Sequence, residues 1–419
     1  MFTGLSLDQA PPFEAPLRFF LTAPIFGILA AAFMFFSDAS SFANRYSPEM
    51  IATLHLITLG FMTMVMIGAM QQMLPVLVGV RFPKPLLFAK IIHTALVLGT
   101  LLMGIGLYFS FSKLLMAASL FLLFSIGIFA IVTGYKVFRS SYSNHTVFSM
   151  RFSIISLFIA LLLGVHMLVS LGLSKTGESF LTFVDIHALW AFFGWTGLLI
   201  IGVSYQVVPM FYVTPDFSNS IKKLLAPFIF LFLFLTSATL FIDFSYVFGA
   251  VLFCFLFFGI ATFKLIEKRK RKLIDTTINY WRISSLLLSL GGALFILYLF
   301  IPNDSLLWIA SVTLLYGFAV SLINGMLYKI IPFLAWFHLS SMGYFDIPTM
   351  REMIPEKSAK LQMILHILAY LSLLLLPFAP LTKLSALLIA ISNIMLFINL
   401  YKAVKVFFEY KKKPSPMGI

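Results

Sequence analysis

The stretch HLITLGFMTMVMIGAMQQMLPVLVG, His55–Gly79, decides how the rest of the chain is read. It contains no Asp, Glu, Lys or Arg and is long enough to cross a hydrocarbon core of roughly 30 Å. Its tail carries Gly-x3-Gln-x2-Pro: Gly68, Gln72 and Pro75. The spacing returns at Gly202, Gln206 and Pro209 and, with Lys in the Gln position, at Gly325, Lys329 and Pro332. The glycines are 134 and 123 residues apart. One such pattern means little; three predict a repeated helical unit.

Composition agrees. Of 419 residues, 61% are hydrophobic and only 11% charged, which points to a polytopic membrane protein. Asp8 and Glu14 in the first sixteen residues argue against a cleavable signal peptide, so the first span is expected to direct insertion. A single cysteine, Cys254, excludes an internal disulfide and a multi-cysteine metal site.

Twelve spans are expected: Leu17–Phe36, Met50–Val78, Leu86–Phe109, Leu114–Phe138, Arg151–Leu173, Phe183–Tyr212, Leu224–Phe241, Tyr246–Leu265, Trp281–Ile301, Ser305–Leu339, Leu361–Phe378 and Leu384–Phe407. The tenth exceeds what a bilayer needs and is expected to tilt or to break at Pro332. The segments after even-numbered spans are basic, as at Lys222 and Lys223, Lys268–Lys272 and Lys411–Lys413. The positive-inside bias then puts both termini in the cytoplasm. The formal charge of +14 is assigned to topology, and no nucleic-acid partner is expected. The fold class is an all-α polytopic membrane protein: one transmembrane domain, 1–419, in three four-helix repeats near 1–147, 148–275 and 276–419, arranged with pseudo-threefold symmetry.

Topology sorts the histidines by depth. His55 and His187 enter spans two and six from the outside, and His166 lies short of the outer end of span five, all on the order of 10 Å below the outer surface. His93, His338 and His366 form a layer nearer the cytoplasm, and His145 falls in a loop. Intramembrane histidine is costly without a partner. Three at one depth have the chemistry to ligate haem iron or copper through neutral imidazole, or to make interhelical hydrogen bonds. On an α-helical wheel Met62, Met66 and Met73 share the stripe of His55. Their thioethers suit Cu(I), or they fill irregular packing. Ala191 and Gly194 below His187 leave room for a flat macrocycle. Each motif proline frees a carbonyl one turn back, so Gln72 and Gln206 either satisfy it or face a central cavity.

At His55–Gly79 the sequence resembles a family. His55, Gly60 and Phe61, then Gly68, then Pro75 and Gly79 are similar in type and interval to the signature helix of NnrS proteins. That resemblance implies twelve spans, bound haem and copper, an association with resistance to nitric oxide, and distant kinship with the catalytic subunit of haem-copper oxidases. In that subunit an outer-side histidine of span two ligates the low-spin haem, a position matched by His55. The departures are Leu56 in place of an acidic residue, no Gly-His-Thr-Gly-Arg segment, no His-His pair in span seven, and Ala191 where an oxidase has Tyr. A conventional oxygen-reducing copper site cannot be assembled from these residues. The resemblance therefore implies a haem protein, b-type by expectation and with copper as a second candidate, in the cytoplasmic (inner) membrane of a bacterium. Its ligands would be His55 with His187 or His166, its partners lipid and a respiratory electron donor. Catalytic residues are not identified. A transporter, or an assembly or scaffold subunit with structural histidines, is the alternative.

Overall fold

The computed structural model describes residues 10–42, 44–79, 81–140, 144–242, 244–414, without the side chains of residues 77 and 78. All regular structure among them is helical. Eleven helices are long and apolar enough to cross a membrane: α1 Glu14–Phe36, α2 Pro48–Val76, α3 Pro85–Tyr108, α4 Ser112–Arg139, α5 His145–Gly172, α6 Phe180–Tyr212, α7 Asn219–Ile242, α8 Ser245–Glu267, α9 Thr276–Phe300, α10 Asp304–Ser341 and α12 Thr382–Lys411. Between the last two lies α11, Glu356–Leu374, apolar after a charged first turn. The chain is a multi-pass membrane protein with helices at all twelve expected positions. We call the face where the even-numbered helices end, rich in Lys and Arg, the basic face.

Helix starts follow from local chemistry. Ser47 accepts from the Met50 amide ahead of α2, with Pro48 in the first turn, where its missing N–H costs nothing. Asn144, Ser218, Asp275 and Asn303 cap α5, α7, α9 and α10 in the same way. The α1 and α12 helices pack along each other, so the first and last spans are neighbours and the chain closes on itself. Neighbouring pairs α3–α4, α4–α5 and α8–α9 also pack along their lengths.

Three central features recur at the motif spacing. The α2, α6 and α10 helices each widen into an eight-residue π-helical turn, Leu56–Thr63, Trp190–Gly197 and Thr313–Val320. Each turn begins twelve residues before the motif glycine and holds a glycine fifth: Gly60, Gly194 and Gly317. A Cβ on Gly60, Gly68, Gly194 or Gly202 would run into Phe26, Phe19, Ser156 or Ser149, and one on Gly325 into Tyr280. In every case the obstacle sits on the helix before, so these glycines let α2, α6 and α10 lie close against α1, α5 and α9. The α2 and α6 helices also end alike, at left-handed Gly79 and Val213, whose amides bond the Pro75 and Pro209 carbonyls. The third differs. The α10 helix runs unbroken through Pro332 to Ser341, so the expected break there does not occur. Nor does the Gln72 side chain repair a kink: it makes no hydrogen bond to a described residue, and its Oε1 is buried.

Lys329, in the Gln position, reaches Asp275 Oδ2 at 3.1 Å and lies over the Phe211 and Tyr212 rings. The α10 helix is thereby tied to the cap of α9, with both partners mostly buried.

Candidate functional site: two imidazoles beneath one face

His55 and His187 are each the eighth residue of their helix, so both sit about 10 Å along it from the face opposite the basic one. Their rings come together, 6.2 Å between centroids and 24° between planes. His55 Nδ1 bonds the Ile51 carbonyl at 2.8 Å, one turn back in α2. His187 Nδ1 bonds the Ala160 carbonyl of α5 at 2.9 Å. A carbonyl oxygen only accepts, so each Nδ1 carries the hydrogen and each Nε2 of the neutral ring carries the lone pair. Neither Nε2 has a hydrogen-bond partner among the described residues, and neither is sealed from its surroundings. Both rings are only partly covered.

The helix behind His187 is shaped for it. Gly164 of α5 faces the ring, and a Cβ there would stand 3.0 Å from Cε1. Even an alanine at 164 would require the imidazole to give by a few tenths of an ångström, and a branched side chain would push it further. Toward the near face Arg45, in the link between α1 and α2, pairs with Asp185 at 3.3 Å. That bridge joins the approach to α2 with the first turns of α6, two residues from His187.

The other expected site residues fall elsewhere. His166 is exposed on α5, its ring edge-on to Phe183 at 5.6 Å. The structure thus brings together two of the outer histidines and leaves the third outside their contact. Met62 and Met66 are buried, at 1% and 5% exposure. Yet the π turn that begins at Leu56 slips the register by about one residue, on the order of 100° of rotation. The α-helical stripe linking His55 to Met62, Met66 and Met73 is therefore not continuous. The turn at Trp190–Gly197 interrupts the α-helical face running down from His187 through Ala191 and Gly194 likewise.

Sequence reasoning missed a second buried centre, in α9–α12. His366, 1% exposed, bonds Ser321 Oγ through Nε2 at 2.7 Å and meets the Asn324 amide nitrogen through Nδ1 at 3.2 Å. Its ring stacks on Tyr316, in the third π turn, at 4.6 Å. Tyr280 donates to Gln362, which donates to Ser392, and Asn399 links Ser358 to Tyr328. The signal was present as Ser, Asn, Gln and Tyr at helical spacing within otherwise apolar spans. Of the remaining inner histidines one is bonded across helices and the other has a buried Nε2 without a hydrogen-bond partner among the described residues. His93 Nε2 meets Thr22 at 2.8 Å, joining α1 to α3, and His338 lies between Phe13 and Phe337.

No group of three or more His, Cys, Asp or Glu suited to a metal occurs among the described residues. A two-imidazole centre needs no such group. No family model matches the chain, and no curated protein matches it.

Proposed function

We propose that this chain is a haem-binding membrane protein of the NnrS or haem-copper-oxidase-subunit type, its cofactor held by His55 and His187. The reading includes three four-helix repeats around α2, α6 and α10, the basic face turned to the cytoplasm with both termini, and a place in a bacterial inner membrane. The recurrence of the π turns, their glycines and the motif at one spacing supports the repeat. The run of basic segments supports the orientation.

The observation that carries the proposal is the pair of unpartnered Nε2 atoms. A ligand imidazole almost always gives its other N–H to a carbonyl or carboxylate, which fixes the tautomer and aims the lone pair. His55 and His187 both do so. With metal–nitrogen bonds of about 2.0–2.1 Å, two imidazoles sharing a metal have ring centroids roughly 5–6.3 Å apart, widest when they are opposite each other. The observed 6.2 Å lies at the wide end. The donor set fits haem iron with two nitrogen ligands, and it also fits Cu(I).

The chain's own contribution is positional. The Ile51 and Ala160 carbonyls set the tautomers, Gly164 gives His187 its place, and surrounding helices limit water. Haem held by these two histidines would supply one-electron redox chemistry, and a diatomic such as nitric oxide could bind only where one of them gave way. An electron donor and any turnover belong to this reading. A visible spectrum of the detergent-purified protein, oxidised and reduced, with iron and copper analysis, is its test. Haem near one per chain, lost in His55→Ala, is expected. A colourless protein without iron or copper contradicts the proposal and favours a transporter, for which the buried Lys329–Asp275 pair is the specific support.

A further inference from the structure

The wall of the molecule between α4 and α5 carries an open groove of about 290 Å³ near the basic face. Ala130, Ile131, Gly134 and Tyr135 of α4 and Ile154 and Phe158 of α5 line it. Ile131, Tyr135 and Phe158 are exposed, on the outside of two membrane-crossing helices. Residue 134, in the groove's lining, is glycine. A Cβ there would meet only Ile154, at 3.4 Å, so a larger side chain would extend into the open space. At about 30 Å³ for a group the size of a water, the groove takes on the order of ten methylenes.

Two arginines stand at its basic end. Arg139 lies five residues beyond Gly134, about 7 Å along α4, and donates from Nη1 to the Tyr135 hydroxyl at 2.5 Å with its guanidinium over that ring. Arg151 lies one turn before Ile154, donates from Nε to the Val137 carbonyl at 3.2 Å, and sits over Phe138. Neither meets a carboxylate among the described residues. An apolar slot opening sideways into hydrocarbon, with uncompensated arginines at the headgroup level, has the polarity of an anionic amphiphile.

We infer that the α4–α5 groove holds one acyl chain of an anionic phospholipid, its phosphate bound by Arg139 and Arg151. Phosphatidylglycerol and phosphatidylcholine carry the same tails, so they separate the headgroup contribution from the groove. The test is native mass spectrometry of the full chain released from nanodiscs containing the two lipids in equal amounts. Wild type is expected to retain one phospholipid through delipidation, with phosphatidylglycerol favoured at least fivefold. Gly134→Leu fills the groove and is expected to lose the retained lipid. Arg139→Gln with Arg151→Gln, the first exposed and the second partly buried, is expected to bring the preference close to one to one. No retained lipid on wild type, or an unchanged fivefold preference in the double arginine variant, overturns the inference. So does a dimer whose contact buries this wall. Should Gly134→Leu fail to accumulate, the wild-type and arginine measurements still decide.

Discussion

His55 is partly covered and His366 is 1% exposed, both on membrane-crossing helices, and their nitrogens are used in opposite ways. His55 spends Nδ1 on a backbone carbonyl and leaves Nε2 bare, and its neighbour His187 does the same. His366 has neither nitrogen free. The Asn324 amide donates to Nδ1, so Nε2 carries the hydrogen and gives it to Ser321, whose hydroxyl in turn faces the Tyr316 carbonyl. One centre is tied by a single bond per ring and can accept a ligand. In the other both ring nitrogens are taken by hydrogen bonds that hold α10 to α11, although Asn324 Oδ1 and the Tyr316 hydroxyl beside it are buried without a partner among the described residues. Buried polar groups of the second kind specify packing, whereas a bare, partly accessible nitrogen of the first kind is open to a partner from outside the chain.

That contrast can be broken at several points. The largest expected effect is on bound cofactor: His55→Ala and His187→Ala each lower haem per chain at least tenfold, while His366→Leu leaves it unchanged, read from the absorbance of purified protein. Stability should reverse the order. His366→Leu leaves the buried Asn324 amide nitrogen without its acceptor, at a cost of about 1–3 kcal/mol, while Ser321 keeps its bond to the Tyr316 carbonyl; His55→Leu without cofactor forfeits one hydrogen bond, about 0.5–1.5 kcal/mol. Denaturant titration in detergent compares them. Gly164→Val forces a side chain into the space of the His187 ring and should cost about 1–3 kcal/mol. It should also alter the visible spectrum, whereas the same change at exposed Gly177, where a Cβ meets nothing, leaves the spectrum alone. Smallest is Arg45→Gln, which removes a half-exposed ion pair worth under about 1 kcal/mol and leaves cofactor content as it was.

Much of the architecture was legible from residues alone. Apolar runs between basic and turn-rich segments located all twelve helices, because a helix in lipid must satisfy its own backbone and so declares itself by length. Depth counted along the helices put His55, His166 and His187 at one level, and the structure brings the first and last of them together. Facing could not be counted. A π turn changes rotation without changing composition, so the stripes drawn below the two histidines assumed a pitch the helices do not keep. His166 shares their level, yet its side chain points elsewhere, and residue spacing within one helix says nothing about which way a neighbouring helix turns. The Lys329–Asp275 pair escaped notice for a related reason: Asp275 reads as part of a basic loop and acts as the cap of α9. The polar centre around His366 is spread over four helices, and no single segment announces it.

The most direct measurement is chemical rescue at the position across from His55. His187→Gly, reconstituted with added haem in the presence or absence of imidazole, is followed by visible and electron paramagnetic resonance spectra of the oxidised protein. If His55 and His187 share one iron, the variant loses the low-spin signature of wild type, and millimolar imidazole restores it without altering His55→Gly/His187→Gly to the same form. A wild-type low-spin signal that persists undiminished in His187→Gly, or a wild type with no haem signal, contradicts the claim that these two imidazoles hold the cofactor between them.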